Sequence, residues 1–205
     1  MTSPSPTRLP AIERRSQLLD VAIDLFARKG FGGTTTKEIA AAAGVTEAII
    51  FRHFATKQDL YKAILDARCN SPEAQAWLSE ANHFMDKKDD EGLFRFLLTS
   101  IIGHSGKDPR FERLMLHAAL EGHELAIMHH NQFKMPIGVK LIEYVAKRQK
   151  SGALRKCNPT ALIFAVAGIA TYYAQQKYLH KSAELPMSDK AAVDTFLAII
   201  MKGIQ

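Results

Sequence analysis

The chain has 205 residues, of which 47% are hydrophobic and 23% are charged, and its formal net charge is +6. This hydrophobic share excludes a disordered chain, and the length suits one large domain or two small ones. The basic excess favours an acidic partner, with nucleic acid first. The two cysteines form no metal-type pair and no apolar run is long enough for a membrane span, so we expect a cytoplasmic protein.

The first segment of the chain divides into a leader and a helix. Proline, serine and threonine dominate residues 1–10, which we predict to be disordered. From Ala11 to Lys29 the pattern becomes helical, because the apolar residues from Leu19 to Phe26 recur at i, i+3, i+4 and i+7. The glycine-rich run Gly30 to Gly33 ends this helix, since glycine adopts a left-handed C-cap conformation at little cost.

The next segment, residues 35–57, has the pattern of two short helices joined by a tight turn at Gly44-Val45. Thr35-Thr36-Lys37-Glu38 forms a capping box, in which the first hydroxyl accepts from the glutamate amide and the glutamate reaches back. Thr46 is predicted to cap the second helix, which ends near Phe54. This layout predicts a helix-turn-helix, whose second helix lies in the major groove of DNA.

Beyond residue 65 the pattern stays helical but becomes less specific. Ser151-Gly152 and Leu185-Pro186 separate helices, and Pro136 is predicted to kink or divide the helix that contains it. The helices predicted after the motif cover residues 57–84, 90–104, 109–120, 123–150, 159–180 and 188–203. No region alternates with period two for long, so we predict an all-α fold.

The second helix of the motif has an anchoring side and an outer side. Ile50 and Phe54 lie four residues apart and should pack against the first helix. Arg52 and His53 can then pair with phosphate, and Arg52 can instead reach guanine. The alternative is a short amphipathic helix in an ordinary bundle, where Arg52 and His53 are simply solvated.

Four stretches of this region resemble the N-terminal domain of the TetR (tetracycline-repressor-like) family. They are Thr35 to Ala40, Ala43 to Thr46, Ile50 to Phe54 and Thr56 to Leu60. The resemblance implies a homodimer in which each subunit has a three-helix DNA-binding head over residues 11–65 and a helical ligand-binding and dimerisation body over residues 66–205. It also implies a ligand-responsive regulator, with repression favoured over activation, that binds a palindromic operator and is released by a small apolar inducer.

The same resemblance assigns roles within the motif. Positions that contact bases are matched by Lys37, Glu47 and Ala48. Positions that usually contact phosphate are matched by Ile49, Phe51, His53 and Lys57. Phe51 stands where tyrosine is common and Ile49 where a hydroxyl is common, so each loses a hydrogen bond to phosphate. The complete set of predicted DNA-binding residues is Thr35, Thr36, Lys37, Thr46, Glu47, Ala48, Ile49, Phe51, Arg52, His53 and Lys57.

For the C-terminal body, the family resemblance calls for an apolar ligand cavity and a dimer face. The predicted cavity residues are Phe94, Phe96, Leu97, Ile101, Phe111, Leu114, Met115, Ile127, Phe133, Phe164 and Tyr172, with ordinary core packing as the alternative for each. Residues 160–173 are apolar nearly all round and rich in alanine and glycine, which allows close helix approach. The predicted dimer residues are Leu162, Ala165, Val166, Ile169, Val193, Phe196, Leu197 and Ile200.

A group of histidines supports the main alternative function. It comprises His117, His123, His129 and His130, with Glu121 and Glu124 nearby. These residues could serve a metal-sensing regulator or, less favoured, a metal-dependent helical enzyme, but they do not reproduce the HExxH spacing. The sequence also lacks a phosphate-binding glycine loop, a nucleophile elbow and a recognisable Cys/His dyad. We therefore predict no enzyme activity, no cofactor and no metal.

Overall fold

The computed structural model describes residues 9–180 and 186–204, and within these ranges the chain is helical with no strand. The predicted leader lies outside them except for Leu9 and Pro10. The α-helices are α1 Ala11–Lys29, α2 Thr36–Ala42, α3 Glu47–His53, α4 Lys57–Cys69, α5 Pro72–Lys87, α6 Asp90–Lys107, α7 Arg110–Leu120, α8 Glu124–His129, α9 Met135–Lys150, α10 Pro159–Ala174 and α11 Asp189–Ile204. Two π-helical turns, His130–Lys134 and Gln175–Leu179, follow α8 and α10. None of the described helices is long and apolar enough to cross a membrane.

The first core is formed by α1 to α4, because each of these helices turns one apolar stripe inward. Phe26, Ile39 and Ile50 are fully buried in it. Phe111 and Leu114 of α7 belong to the same core, and α1 packs along α7. The predicted head over residues 11–65 therefore shares its hydrophobic core with a helix of the body.

The second core surrounds α6, which is covered by α5, α10 and α11. Leu93, Phe94 and Leu98 of α6 are buried there together with Val166 of α10 and Leu197 of α11. These helices form a bundle that leaves the outer faces of α10 and α11 open.

Two of the predicted helices are interrupted. The predicted helix over residues 57–84 breaks at Asn70, because Ser71 caps a new helix by accepting a 3.1 Å hydrogen bond from the Ala74 amide and Pro72 occupies its first turn. The predicted helix over 123–150 is divided by the π-helical turn that precedes Pro136, which again lies in a first turn.

Candidate nucleic-acid interface

Local hydrogen bonds build the helix-turn-helix. The Thr35 hydroxyl accepts from the Glu38 amide at 3.2 Å, and the Glu38 carboxylate accepts from the Thr35 amide at 2.9 Å, which completes the predicted capping box. After α2, Gly44 adopts a φ of +66°, and the Val45 amide donates to the Ala40 carbonyl at 3.0 Å. The positive φ at Gly44 explains why glycine occupies this turn.

Helix α3 is fixed by its buried side and presents the other side to solvent. Ile50 is fully buried and Phe54 nearly so, both in the core with α1. Ala48, Phe51 and Arg52 are exposed. Three residues of this helix are half-buried, namely Glu47, Ile49 and His53. The structure thus brings most of the predicted DNA-binding residues onto one surface, as a helix with two anchors requires.

Two predicted contacts on this surface differ in detail. Thr46 occupies the predicted N-cap position of α3, but its hydroxyl makes no capping hydrogen bond. Its carbonyl instead accepts from the Ile49 amide at 3.0 Å. The Thr36 hydroxyl donates to the Glu47 carboxylate, which ties α2 to the start of α3. Lys37 remains exposed beside this pair.

Lys57 is engaged within the protein and does not extend towards solvent. Its ammonium donates to the carbonyls of Phe31 and Thr34 at 2.7 and 2.8 Å and lies 4.0 Å from the Phe31 ring centroid. Burial lowers the pKa of Lys57, and the negative charge of Glu121 partly opposes this shift. In this conformation Lys57 holds the turn between α1 and α2. Its ammonium is engaged with backbone carbonyls and does not extend outward to meet the predicted phosphate.

The structure adds two residues that the motif does not contain. The guanidinium of Arg15, in α1, lies 5.0 Å from the centroid of the Phe54 ring. Arg14 donates to Gln17, whose amide reaches the Ala43 carbonyl at 3.3 Å. The Arg14-Arg15 pair is visible in the sequence, but no spacing rule links it to a helix almost forty positions later.

His53 lies among the positive charges of three arginines. Its pKa is lowered first by burial and then by the positive charges of Arg52, Arg15 and Arg14. Four basic side chains from α1 and α3 therefore share one part of the surface. None of the three arginines forms a salt bridge with a carboxylate among the described residues, which leaves this surface positively charged.

Comparisons with known proteins match the segment that contains this helix-turn-helix. Residues 18–64 match the family model described as bacterial regulatory proteins, tetR family. The HTH-type transcriptional regulator TtgR of Pseudomonas putida is 33% identical over 108 residues, which are 53% of this chain and 50% of that protein. AcrR of Shigella flexneri is 47% identical over 58 residues, 28% of this chain and 27% of that regulator.

The helix-turn-helix segment, residues 18–64, belongs to the TetR family. The matched segment of TtgR is about half of its length. Among solved structures, NalD, the secondary repressor of the MexAB-OprM efflux pump in Pseudomonas aeruginosa, gives a TM-score of 0.72 at 19% identity, covering 95% of this chain and 98% of that one. This likeness shows that the TetR fold extends across the C-terminal helices. The similar proteins are transcriptional regulators, a class without enzymes.

The predicted cavity residues of this TetR body do not come together. Phe94 and Leu97 lie in the second core, whereas Phe111 and Leu114 lie in the first. The half-buried members of the set are Phe96, Ile101, Met115 and Phe133. The exposed members are Ile127, Phe164 and Tyr172, which line no interior. Two concavities on the described part of the chain, of about 210 and 360 Å³, are open grooves, and none of the predicted cavity residues lines either of them.

The predicted dimer residues are mostly internal to one chain. Those buried in the second core are Leu162, Val166, Val193, Leu197 and Ile200. Ile169 and Phe196 are half-buried, and Ala165 is exposed. The outward apolar side chains of these helices are instead Phe164 and Tyr172 of α10 and Ile199 of α11, which are 71%, 66% and 58% exposed. The predicted dimer residues thus lie mostly on the inward stripes of α10 and α11, because α10 is apolar nearly all round and its sequence does not distinguish one stripe from another.

The histidine group is dispersed. His129 is buried between Phe111 and Phe133, at ring-centroid distances of 5.3 and 5.8 Å, and His123 packs against Phe31 at 4.4 Å. His130 is exposed. Across residues 9–180 and 186–204 no three histidine, cysteine, aspartate or glutamate side chains are placed to hold a metal ion. The geometry of these residues gives no support to the metal-dependent alternatives.

Proposed function

We propose that this TetR-family chain is a ligand-responsive transcriptional repressor that binds a palindromic DNA operator as a homodimer. The observation that carries the proposal is the outer surface of α3. Arg52 is exposed there, Lys37 is exposed on α2, and neither forms a salt bridge within the described residues. A rigid helix with uncompensated cations and a small exposed residue, Ala48, suits the major groove, where arginine reads guanine and apolar groups meet thymine methyl groups.

The outer faces of α10 and α11 support the dimer. Phe164, Gly168 and Tyr172 are exposed at i, i+4 and i+8 on α10, and Ile199 is exposed on α11. Large apolar side chains grouped in this way on a helical surface are typical of an interface, and glycine permits close approach of two helices. Binding of a palindrome requires the two α3 helices of the proposed dimer to reach successive major grooves, which are about 34–36 Å apart.

Control by a small ligand requires only that the ligand prefers one conformer of the dimer. Helices α1 and α7 pack together in one core, so a shift of α7 moves the head. We propose that a small apolar inducer opens space within the body bundle and favours a conformer whose two α3 helices no longer match the operator spacing.

The proposal is tested by fluorescence anisotropy with DNA from the region upstream of the chain's own gene. Arg52→Ala and Lys37→Ala should each weaken specific binding about tenfold or more, because each removes a contact in the major groove. Lys140→Ala, which removes an exposed cation from α9, is the control with the same change in charge. Equal DNA affinity of all four proteins, wild type included, would contradict the proposal.

A ligand screen then tests the regulatory half of the proposal. Small apolar compounds are added to the preformed complex, and release of the DNA is followed by the same anisotropy signal. Trp77 is the only tryptophan and packs against Phe96 at 5.5 Å in the body, so its fluorescence gives an independent measure of binding there. Release without any change at Trp77 would place the ligand outside this part of the body.

A further inference from the structure

The first turns of α1 and the last turn of α3 meet in a group of positive charges. Arg15 lies 5.0 Å above the Phe54 ring, and Arg14 is held beside Gln17, which itself binds the Ala43 carbonyl. Arg52 and the half-buried His53 complete the group, since the charges of all three arginines act on His53. Both arginines of α1 are therefore positioned by contacts to the helix-turn-helix.

This arrangement is unfavourable in the free protein. Like charges at short range repel, and a nearby carboxylate would normally compensate them. Elsewhere in the chain arginines do have such partners: Arg95 binds Asp194, Arg110 binds Asp108 and Arg148 binds Asp90. Neither Arg14 nor Arg15 forms a salt bridge with any residue that the structure describes. The group thus has the charge and the fixed geometry of an anion site.

We infer that Arg14 and Arg15 bind the phosphodiester backbone of DNA beside the groove occupied by α3, and so extend the DNA-binding surface onto the first helix. The inference rests on the proposed function, because it assigns a second contact of the same surface. In this proposal α3 lies in the groove with Arg52, and the end of the helix at His53, where Arg14 and Arg15 gather, faces the backbone. Guanidinium groups suit this partner, since their planar donors match the oxygens of a phosphate.

A backbone contact strengthens binding without selecting a sequence. Loss of Arg14 and Arg15 should therefore lower the affinity for operator DNA and for unrelated DNA by the same factor. It should also lower the dependence of binding on salt, because fewer counterions are released when fewer phosphates are neutralised. A base contact would behave differently, since its loss would reduce the preference for the operator.

The test compares Arg14→Gln/Arg15→Gln with the wild type by fluorescence anisotropy, on operator and unrelated duplexes over a series of salt concentrations. Glutamine keeps part of the aliphatic stem that covers Phe54, and circular dichroism verifies the fold. The affinity should fall about tenfold or more on both duplexes, and the slope of log affinity against log salt should become shallower by about two. The control, Lys62→Gln/Lys140→Gln, removes two exposed cations from α4 and α9.

The outcomes separate this inference from the function on which it rests. An unchanged slope and affinity in the Arg14/Arg15 variant, with binding lost in Arg52→Ala, would overturn the inference and leave the proposed function standing. No loss in either variant would overturn both. A selective loss on operator DNA would also overturn the inference, because it would show base recognition by α1 in place of a backbone contact.

Discussion

His129 is a titratable side chain enclosed in an aromatic environment. It is buried against Phe111 and Phe133, and its pKa is lowered to about 4, first by burial and then by the nearby charges of Lys134 and His130. The ring is therefore neutral at neutral pH. Because the unfolded chain has an ordinary histidine pKa near 6.5, protonation in acid favours the unfolded state.

We predict that this residue makes the protein acid-sensitive. Its contribution is complete above pH 6.5 and is lost as the pH falls from 6.5 towards 4, where the unfolded chain binds more protons than the folded one. The loss amounts to about 3 kcal/mol over that window. In His129→Phe, which keeps an aromatic ring, urea unfolding at the two ends of the window should show a smaller drop in the free energy of unfolding. His83→Phe, at an exposed histidine of α5, serves as control; the same drop in both variants would contradict the prediction.

At the scale of elements, the turn between α1 and α2 connects the DNA-binding surface to the body. The Phe31 amide donates to the Glu121 carboxylate, after α7, at 3.2 Å, and the Phe31 ring packs against His123 and Tyr61. Gly30 precedes this turn with a φ of +72°, and an added Cβ would collide with the Glu121 carboxylate. The segment that orients α2 and α3 is thus bound directly by the corner between α7 and α8.

Removing the Glu121 contact should loosen this turn without unfolding the chain. In Glu121→Ala the Phe31 amide loses its acceptor, so hydrogen exchange of the amides over residues 31–34 should become several-fold faster. The free energy of unfolding should fall by about 1 kcal/mol. Glu124→Ala is the matched control, because Glu124 binds the side chain of Gln58 at 2.6 Å instead of the turn backbone. Equal exchange in the two variants would show that Glu121 does not hold the turn.

At the scale of the whole molecule, the two cores lie within one chain, and the outer surface of α10 and α11 remains uncovered. Phe164, Tyr172 and Ile199 all point away from the second core, which the inward stripes of the same helices fill. The proposed dimer would bury these side chains and hold two DNA-binding heads together, one for each half of a palindromic site.

A charge on this outer face should separate the subunits and leave each one folded. Phe164→Glu places a carboxylate where the proposed partner helix packs, so light scattering should report a monomer, and operator affinity should fall about a hundredfold or more because each half-site is bound alone. Circular dichroism should be unchanged, since Phe164 is 71% exposed. Ile127→Glu makes a similar change at a residue of α8 that is 61% exposed and should remain a dimer. A dimeric Phe164→Glu protein would exclude this face.

Features fixed by neighbours in the sequence could be predicted well. The capping box at Thr35 and Glu38, the left-handed Gly44 and the anchors Ile50 and Phe54 depend on contacts within a few residues or on one helical stripe. The engagement of Lys57 could not be predicted in this way, because the carbonyls that accept from its ammonium lie more than twenty positions earlier in the chain. The break at Ser71-Pro72 was readable in principle, as a serine cap followed by proline.

The sequence by itself determined that the fold is all-α, that the chain carries a helix-turn-helix and that this segment is of the TetR type, because short-range capping, glycine turns and helical periodicity encode these features locally. Only the tertiary structure decided which apolar stripes of α10 and α11 are internal, and which cations gather around α3. Periodicity shows that a stripe is apolar without naming the helix that covers it. Arg15 meets the Phe54 ring only in the folded head, since the two residues are almost forty positions apart in the chain, so the role proposed for Arg14 and Arg15 could not be predicted from spacing.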